Sequence, residues 1–419
     1  MKRHLYKIAI TGLILLMGTV SCKEGFLDTT NPNAITSNNF WRNKEDVQKA
    51  VNTLYPTFNS ITNGAAYALN LRSDGVSLAA SDFAQFKEYT TFTNLPENGL
   101  SDFFWYDSYN LIYKANTILQ AVEENEFDED LSTLIARTKF FRGMAYFKLA
   151  HCYGRVPIVL EPVEKISNIN KPKAESVEAV WDQAISDITA AVPDIPVDVE
   201  VPGRLSKGAA KAFLGKVYLF RADYLNNDSY YSNAASQFGD VVTGSQYDYA
   251  LVDTWVNNFL DGETEHNKES LYEANYELHS GSYSATQPRV GNASVPGIAQ
   301  EIVSTPSEWL FNEMRQEQTT DGNMDPRLLN TIFFQGGYKL FGVAYSEMTN
   351  TLSCGEGSGG SFTLDGESVP AEFEGYFRKY LNVDQSCDDP LSATNNERVL
   401  RYADVLLMYA ESLLKSGAP

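Results

Sequence analysis

Phe83, Phe86, Tyr89 and Phe92 stand close together beside Asp82, Gln85, Lys87 and Asn94, and the pattern continues to Phe103 and Phe104. A second stretch sets Tyr272, Tyr276 and Tyr283 among Asn275, Gln287 and Arg289, with Tyr345 further on. Flat rings interleaved with amides, acids and cations suit a ligand that has apolar faces and hydroxylated edges, as a sugar does. The faces stack on the rings and the edges hydrogen-bond to the rim. Core packing is the competing use of every one of these rings, and for any single ring the commoner one.

Other chemistries fit the chain less well. Gly355, Gly357 and Gly360 have dinucleotide-fingerprint spacing, but their flanks are loop and no helix opens after them. The acidic run Glu123, Glu124, Glu126, Asp128, Glu129, Asp130 lacks the alternating Asp/Asn–Gly loop of a calcium hand. It reads as a solvated turn whose later acids favour the next helix start. Fifty-four carboxylates always permit an acid/base pair, yet nothing locates one. No Ser/His/Asp or Cys/His nucleophile arrangement stands out. His151, His266 and His279 have no partner at metal-ligand spacing. The expectation is a binding protein with no catalytic residue, metal or cofactor.

Charge narrows the partners. With 33 basic against 54 acidic residues, the chain is unsuited to nucleic acid or to a polybasic grip on anionic lipid. At the start, Lys2, Arg3 and Lys7 precede an apolar run, Ile8 to Val20, followed by Ser21-Cys22. That run is far short of the roughly 20 residues a membrane-spanning helix needs, so it reads as a signal peptide. Cys22, just after a small residue, reads as a bacterial lipoprotein site where the mature chain begins and carries lipid. Thr19 stands where Leu is usual, and a signal that is uncleaved or ordinarily cleaved is the alternative. Losing residues 1–21 removes three cations and takes the net charge of −21 to −24. No second apolar run has spanning length, so the lipid is the expected membrane attachment. Cys152, within an apolar helical pattern, reads as a buried free thiol. Cys354 and Cys387 lie in Gly/Ser/Asp-rich sequence and are a candidate disulfide. Oxidised, they would contribute roughly 3–4 kcal/mol on chain-entropy grounds; free, nothing.

The elements that must position these residues are mostly helical. From Asp130, a candidate N-cap, to Tyr153 apolar residues recur at helix spacing, and Gly154 and Pro157 end the run. A second such helix runs from Ser206, also a candidate cap, to about Tyr224. The two share a pattern: Phe141-x-Gly143-x-x-Tyr146-Phe147 and Phe213-x-Gly215-x-x-Tyr218-Leu219. Their spacing is roughly twice the 34-residue tetratricopeptide period, and Ala234 and Phe238 supply a second-helix signature. The glycine lets the paired helix approach and the tyrosine fills the next groove. Further helices are expected over 44–58, 101–123, 176–191 and 397–415. The fold class is therefore mainly α, an array of tetratricopeptide-like helix pairs over 22–245. An irregular, loop-rich subdomain with short hairpins follows over 246–396, with helical patterning only near 306–317. A last repeat helix occupies 397–419. That helix is apolar nearly all round, from Val399 to Leu414, and so should be buried. Either earlier helices cover it or the sequence stops short of its natural end.

Taken in order, these residues resemble the SusD/RagB family of outer-membrane lipoproteins. The resemblance begins with Cys22, Phe26-Leu27-Asp28, a Pro-Asn stretch, Trp41, Ala50 and Tyr55. It continues through Tyr109-x-x-Ile112-x-x-Ala115-Asn116, Arg142-Gly-Met-Ala-Tyr146 leading to Tyr153-Gly154-x-x-Pro157, and Arg204-Leu-Ser-Lys207-Gly-Ala-Ala210. Asp325-Pro-Arg327 and Leu400-Arg401-Tyr402-Ala403-Asp404 through Ala410-Glu411 complete it, so nearly the whole chain is covered. The resemblance implies four tetratricopeptide-like pairs and an irregular ligand-binding subdomain. It also implies exposure on the outer face of a Bacteroidetes-type cell and a SusC-like TonB-dependent β-barrel over which the chain sits as a lid. The ligand surface implied lies between the loop before the second helix and the irregular subdomain. Its candidate contacts are Phe83, Phe86, Tyr89, Phe92, Phe103, Phe104, Tyr276, Tyr283, Arg289 and Tyr345. Trp105, Tyr109 and Asn116 belong to the helix motif and read as structural, and Trp181 and Trp309 as core. The chain departs from the family by stopping soon after its Tyr409-Ala410-Glu411 helix. The function implied is capture of an oligosaccharide for the transporter. The alternatives are capture of peptides or another nutrient, or a scaffold that binds only proteins.

Overall fold

The computed structural model describes residues 40–78, 84–162, 170–199, 201–260, 262–276, 304–334, 339–340, 343–344, 375–377, 379 and 396–417. Helix α1 (Lys44–Asn52) begins where Asn43 Oδ1 accepts from the Asp46 N–H at 3.0 Å. One helix was expected over 44–58, but the chain breaks at Thr53 and resumes as α2 (Leu54–Asn70). Two local bonds explain the break: Thr53 N–H and Oγ1 both donate to the Ala50 carbonyl, at 3.0 and 2.7 Å. Pro56, which has no N–H to give to residue 52, is then accommodated in the first turn of α2, where a missing donor is harmless.

After strand β1 (Val76–Leu78) and the short helix α3 (Ala84–Thr90), the array continues with α4 (Gly99–Glu124) and α5 (Ser132–Tyr153). Next come α6 (Val177–Ala191), α7 (Lys207–Leu225) and α8 (Ser229–Thr243). In the array α2, α4, α5, α6, α7 and α8 each helix packs on the next, as a stack of tetratricopeptide-like pairs does. Ser176 and Ser206 cap α6 and α7, each Oγ accepting at 3.2 Å from the amide three residues on. Asp130 acts one step earlier than a formal cap, with Oδ1 accepting from the Ser132 N–H at 2.9 Å. Gly154, at φ 72°, ends α5.

The shared glycines do what their spacing predicts. A Cβ on Gly143 would lie 2.7 Å from Ile188 Cγ1 and 2.8 Å from the Ala184 carbonyl on α6; one on Gly215 would meet the Phe238 ring at 2.8 Å. Around these contacts Phe58, Phe140, Phe141, Tyr146, Trp181, Phe213 and Phe238 are fully or almost fully buried in one core. Cys152 departs from its expected place: it is exposed in the last turn of α5, which runs beyond the core that Leu149 and Ala150 still share.

The C-terminal helix is also corrected. Residues 397–401 form strand β8 (Glu397–Arg401), antiparallel to β2 (Ser270–Ala274), and the helix α11 starts only at Tyr402 and ends at Ser416. The switch is tertiary: Tyr402 N–H donates to the Glu269 carbonyl at 2.7 Å and Arg401 Nη1 to Glu269 Oε1 at 2.7 Å. The last helix packs one side on α8 and buries Val405 and Ser412, while Leu407 and Leu414 face outward. The full burial expected of it is therefore not seen among the described residues.

The irregular part holds β3 (Ser304–Pro306), the helices α9 (Glu308–Met314) and α10 (Pro326–Thr331), and β4 (Ile332–Phe334). Beyond them lie β5 (Lys339–Leu340), β6 (Val343–Ala344) and β7 (Gly375–Phe377). Among the described residues strands occur as antiparallel pairs: β1 with β3, β2 with β8, β4 with β7, β5 with β6. A small core of Leu328, Ile332 and Phe334, covered by Leu310, Phe311 and Met314, supports this region.

Candidate ligand-binding surface

The frame of the site is a buried polar network built from motif residues. Arg142 on α5 forks onto Asp187 of α6 at 2.7 and 2.8 Å and donates from Nη1 to Asn116 Oδ1 of α4 at 2.8 Å. Asn116 Nδ2 passes the connection on to the Val159 carbonyl at 2.9 Å. Tyr146 Oη donates to that carbonyl at 2.7 Å and accepts from the Val159 N–H at 2.8 Å. Tyr109 Oη donates to the Pro157 carbonyl at 2.7 Å. The extended segment after α5 is thus tied to α4 and α5, and burial pushes both phenols well above their ordinary range. Tyr109 and Asn116 are structural, as their motif suggests.

Above this frame, α3 and the start of α4 are clamped together. Tyr153 Oη donates to the Ser101 carbonyl, and the Tyr89 and Ser101 hydroxyls are hydrogen-bonded at 2.8 Å. Helix α3 ends in paired reverse bonds, Phe92 N–H to the Tyr89 carbonyl at 3.3 Å and Thr93 N–H to the Glu88 carbonyl at 2.9 Å. This is a Schellman ending, whose left-handed position is normally glycine. Here it is Phe92, at φ 58° and with 64% of its surface exposed. The Arg72 guanidinium lies 4.7 Å from the centre of the Phe92 ring and 5.6 Å from that of Tyr89.

Two further rings open on α4. Trp105 rests on Tyr109 and Tyr153, with centroids 4.9 and 5.3 Å apart, and is still 40% exposed; Tyr106 is 70% exposed. The irregular region docks beside this surface through the β1–β3 pair. Ser307 N–H donates to the Gly75 carbonyl at 2.9 Å and Ser307 Oγ to the Asp74 carbonyl at 2.6 Å. Ser307 also caps α9, which carries Trp309, 55% exposed.

The structure sorts the expected contacts by burial. Phe86, Tyr89 and Phe104 pack on Leu71 in a small core under the turn, so their faces are closed to a ligand; they support Phe92 rather than join it. Tyr272 is fully in the main core between Phe58 and Phe213, and burial pushes its phenol well above its ordinary range. Tyr276 is half-buried, its N–H donating to Asn396 Oδ1 at 3.0 Å. Asn275 holds the 201–204 turn, with Nδ2 donating to the Pro202 carbonyl at 3.1 Å. Phe83, Tyr283, Arg289, Tyr345, Cys22, Cys354 and Cys387 lie outside the described residues, as does the side chain of Phe103. Trp181 is core as expected; Trp309 is not, because α9 turns Leu310, Phe311 and Met314 inward instead. Arg72 carried no periodic signal, and the exposure of Trp105 and Tyr106 was hidden inside a helix motif.

Comparison with known proteins decides the family. A family model described as starch-binding and associating with the outer membrane matches residues 25–219, and the SusD family model matches residues 219–419. The chain belongs to the SusD/RagB family. SusD-like protein P38 of Formosa agariphila is 22% identical over 418 residues, covering 98% of this chain and 79% of that protein. SusD-like protein P2 of the same organism is 27% identical over 301 residues, covering 70% of this chain. The chain spans 57% of P2's length. A SusD superfamily crystal structure from Bacteroides vulgatus superposes with a TM-score of 0.72 at 26% identity, covering 90% of this chain and 77% of its own. A laminarin-binding SusD-like protein shares the fold, with a TM-score of 0.66 at 22% identity over 90% of this chain and 85% of its own. No helix among the described residues is long and apolar enough to cross a membrane.

Proposed function

We propose that this SusD/RagB protein is a non-catalytic, lipid-anchored receptor on the cell surface. It captures oligosaccharides and passes them to a SusC-like TonB-dependent barrel. The observation that carries the reading is the set of open rings, Phe92, Trp105 and Tyr106, at one helix–turn–helix junction, with Trp309 on the helix docked beside it. Phe92 and Trp105, held by their neighbours, offer stacking faces with little ordering left to do on binding. Family membership supports the ligand class, and Cys22 supplies the anchor.

Native gels containing single polysaccharides test the reading, using the chain purified in detergent. At least one glycan should retard the protein, Trp105→Ala should relieve the retardation, and thin-layer chromatography should show no released sugar. Sugar release would identify a hydrolase. Binding of peptides with retardation by no glycan would move the function to peptide capture. Delivery is tested separately, by whether a TonB-dependent barrel co-purifies from outer membranes.

A further inference from the structure

Where α5, α7 and β8 meet, hydrogen-bond donors gather without acceptors. Helices α5 and α7 run side by side in the same direction: Phe147 meets Phe220 with ring centroids 5.7 Å apart, and His151 meets Phe220 at 5.4 Å and Tyr224 at 6.3 Å. Lys148 follows Phe147 on α5. Lys216 stands one turn before Phe220 on α7, its ammonium 5.6 Å from the centre of that ring. Both lysines are half-buried. The lysine ion pairs among the described residues belong to Lys49, Lys211, Lys268 and Lys415, and neither Lys148 nor Lys216 has one. Burial and the Lys148 charge lower Lys216 to about 8, with Asp404 of α11 opposing. Burial lowers Lys148 as well, with Cys152 and Glu397 opposing. After burial, the same two ammoniums hold His151 below its ordinary value. On β8, Glu397 is 9% exposed and its Oε2 has no hydrogen-bond partner.

Two ammoniums within reach of each other's charge, with no carboxylate in contact, lose hydration and gain no pairing in return. Below about 7 the Glu397 carboxyl is a protonated acid close enough to feel Lys148, a third donor with no acceptor. A compact group made only of acceptors would satisfy all three. Cys152, exposed in the last turn of α5, leaves the place open to solvent. We propose that Lys148, Lys216 and Glu397 form a binding site for a dianionic tetrahedral oxyanion, the chemistry shared by inorganic sulfate and phosphate monoesters. Seated between the ammoniums, a dianion relieves their mutual repulsion, and its remaining oxygens accept from the Glu397 acid. An uncharged ligand gives no such relief, so this site stands or falls independently of glycan capture.

Calorimetry on the full chain in detergent, with sodium sulfate titrated against sodium chloride at matched ionic strength, tests the site. Sulfate should bind saturably and chloride should not. Lys148→Met and Lys216→Met should each weaken sulfate about tenfold or more, with circular dichroism unchanged. Lys268→Met, which removes an exposed pair with Asp248, should change nothing. Sulfate keeps both its charges across the neutral range, so any pH dependence belongs to the protein. Affinity should fall as pH rises through about 7, where Glu397 ionises, and again through about 8, where Lys216 loses its proton. Glu397→Gln should abolish the first fall and Lys216→Arg the second, a readout that does not depend on the methionine variants folding. Phenyl phosphate beside sulfate separates the sources: tighter binding of the ester supports a phosphate monoester as occupant, and tighter binding of sulfate supports the free ion. Saturable binding of neither anion overturns the proposal. So does binding that both methionine variants leave undiminished, or that ignores pH, since the anion would then sit elsewhere.

Discussion

Phe92 allows stability and binding to be separated at a single residue. At φ 58° an L-residue with a β-carbon is strained by about 1–2 kcal/mol, which glycine escapes. Glycine gives back about 0.5–1 kcal/mol in chain entropy, so Phe92→Gly should be more stable than Phe92→Ala by about 0.5–1 kcal/mol. Both lose the Arg72 contact at 4.7 Å, worth about 0.5–1 kcal/mol at an exposed ring. Phe92→Gly should therefore unfold in urea near the wild-type midpoint, with Phe92→Ala below both. Binding should not follow that order. Both variants lose the stacking face, and affinity for the retarding glycan should fall about tenfold in each, on the order of 1.4 kcal/mol. Equal stability of the alanine and glycine variants would show that the left-handed turn is not strained. Unchanged glycan affinity in both would show that the ring is not a ligand contact.

Three further outcomes follow from the interior. Arg142→Ala strands the buried Asp187 carboxylate and should cost about 3–5 kcal/mol in urea unfolding, where a loss under 1 kcal/mol would refute the network's weight. Gly143→Ala should destabilise more than Gly215→Ala, because its Cβ meets the Ala184 backbone carbonyl while the Phe238 ring can tilt away; a stabilised Gly143→Ala, as helix propensity alone predicts, would refute the close approach. Burial raises the Glu397 carboxyl to about 7, with Lys148 opposing only in part. The fold thus favours the protonated acid, so that stabilisation is complete below the ordinary value of 4.5 and is lost as pH rises through about 7. Glu397→Gln should flatten this slope and gain up to about 3 kcal/mol above neutrality; an unchanged pH profile would refute the burial argument.

What could be read from the chain alone was what local chemistry dictates. Ser176 and Ser206 cap helices because hydroxyls at those positions accept the next free amides, and Gly143 and Gly215 mark close approach because no other residue fits. The break at Thr53 is also local, set by the Thr53 bonds to the Ala50 carbonyl and by Pro56. Where partners lie far away in sequence the reading failed. Residues 397–401 look helical until Glu269 and β2 pair with them. Arg142 stands out as a motif residue, but Asp187 is not marked as its partner, nor the Val159 segment as that of Asn116 and Tyr146. Of the aromatic run from Phe83 to Phe104, Phe86, Tyr89 and Phe104 turn inward because Leu71 lies beneath them, a fact of packing and not of spacing.

Backbone conformation supplies what spacing lacks. Among the described residues other than glycine, three have positive φ: Phe92, Asn226 and His266. Asn226 ends α7, and asparagine tolerates the left-handed region better than any residue but glycine. His266 is held by its surroundings: its N–H donates to Glu273 Oε1 at 2.8 Å and its ring meets Asn396 at 3.2 Å, within a buried network that Arg398 completes. Phe92 has neither excuse. Its residue type is unfavourable there, and its side chain gains no burial in exchange. The turn itself would be better served by glycine, and what the ring returns to the fold is its contact with Arg72. A residue that breaks a local rule for so small a return is a candidate for a role outside the fold, which the binding assay on the two Phe92 variants tests. The proposed ligand surface therefore predicts a larger loss of binding at the strained Phe92 ring than at the unstrained rings of Trp105 and Tyr106.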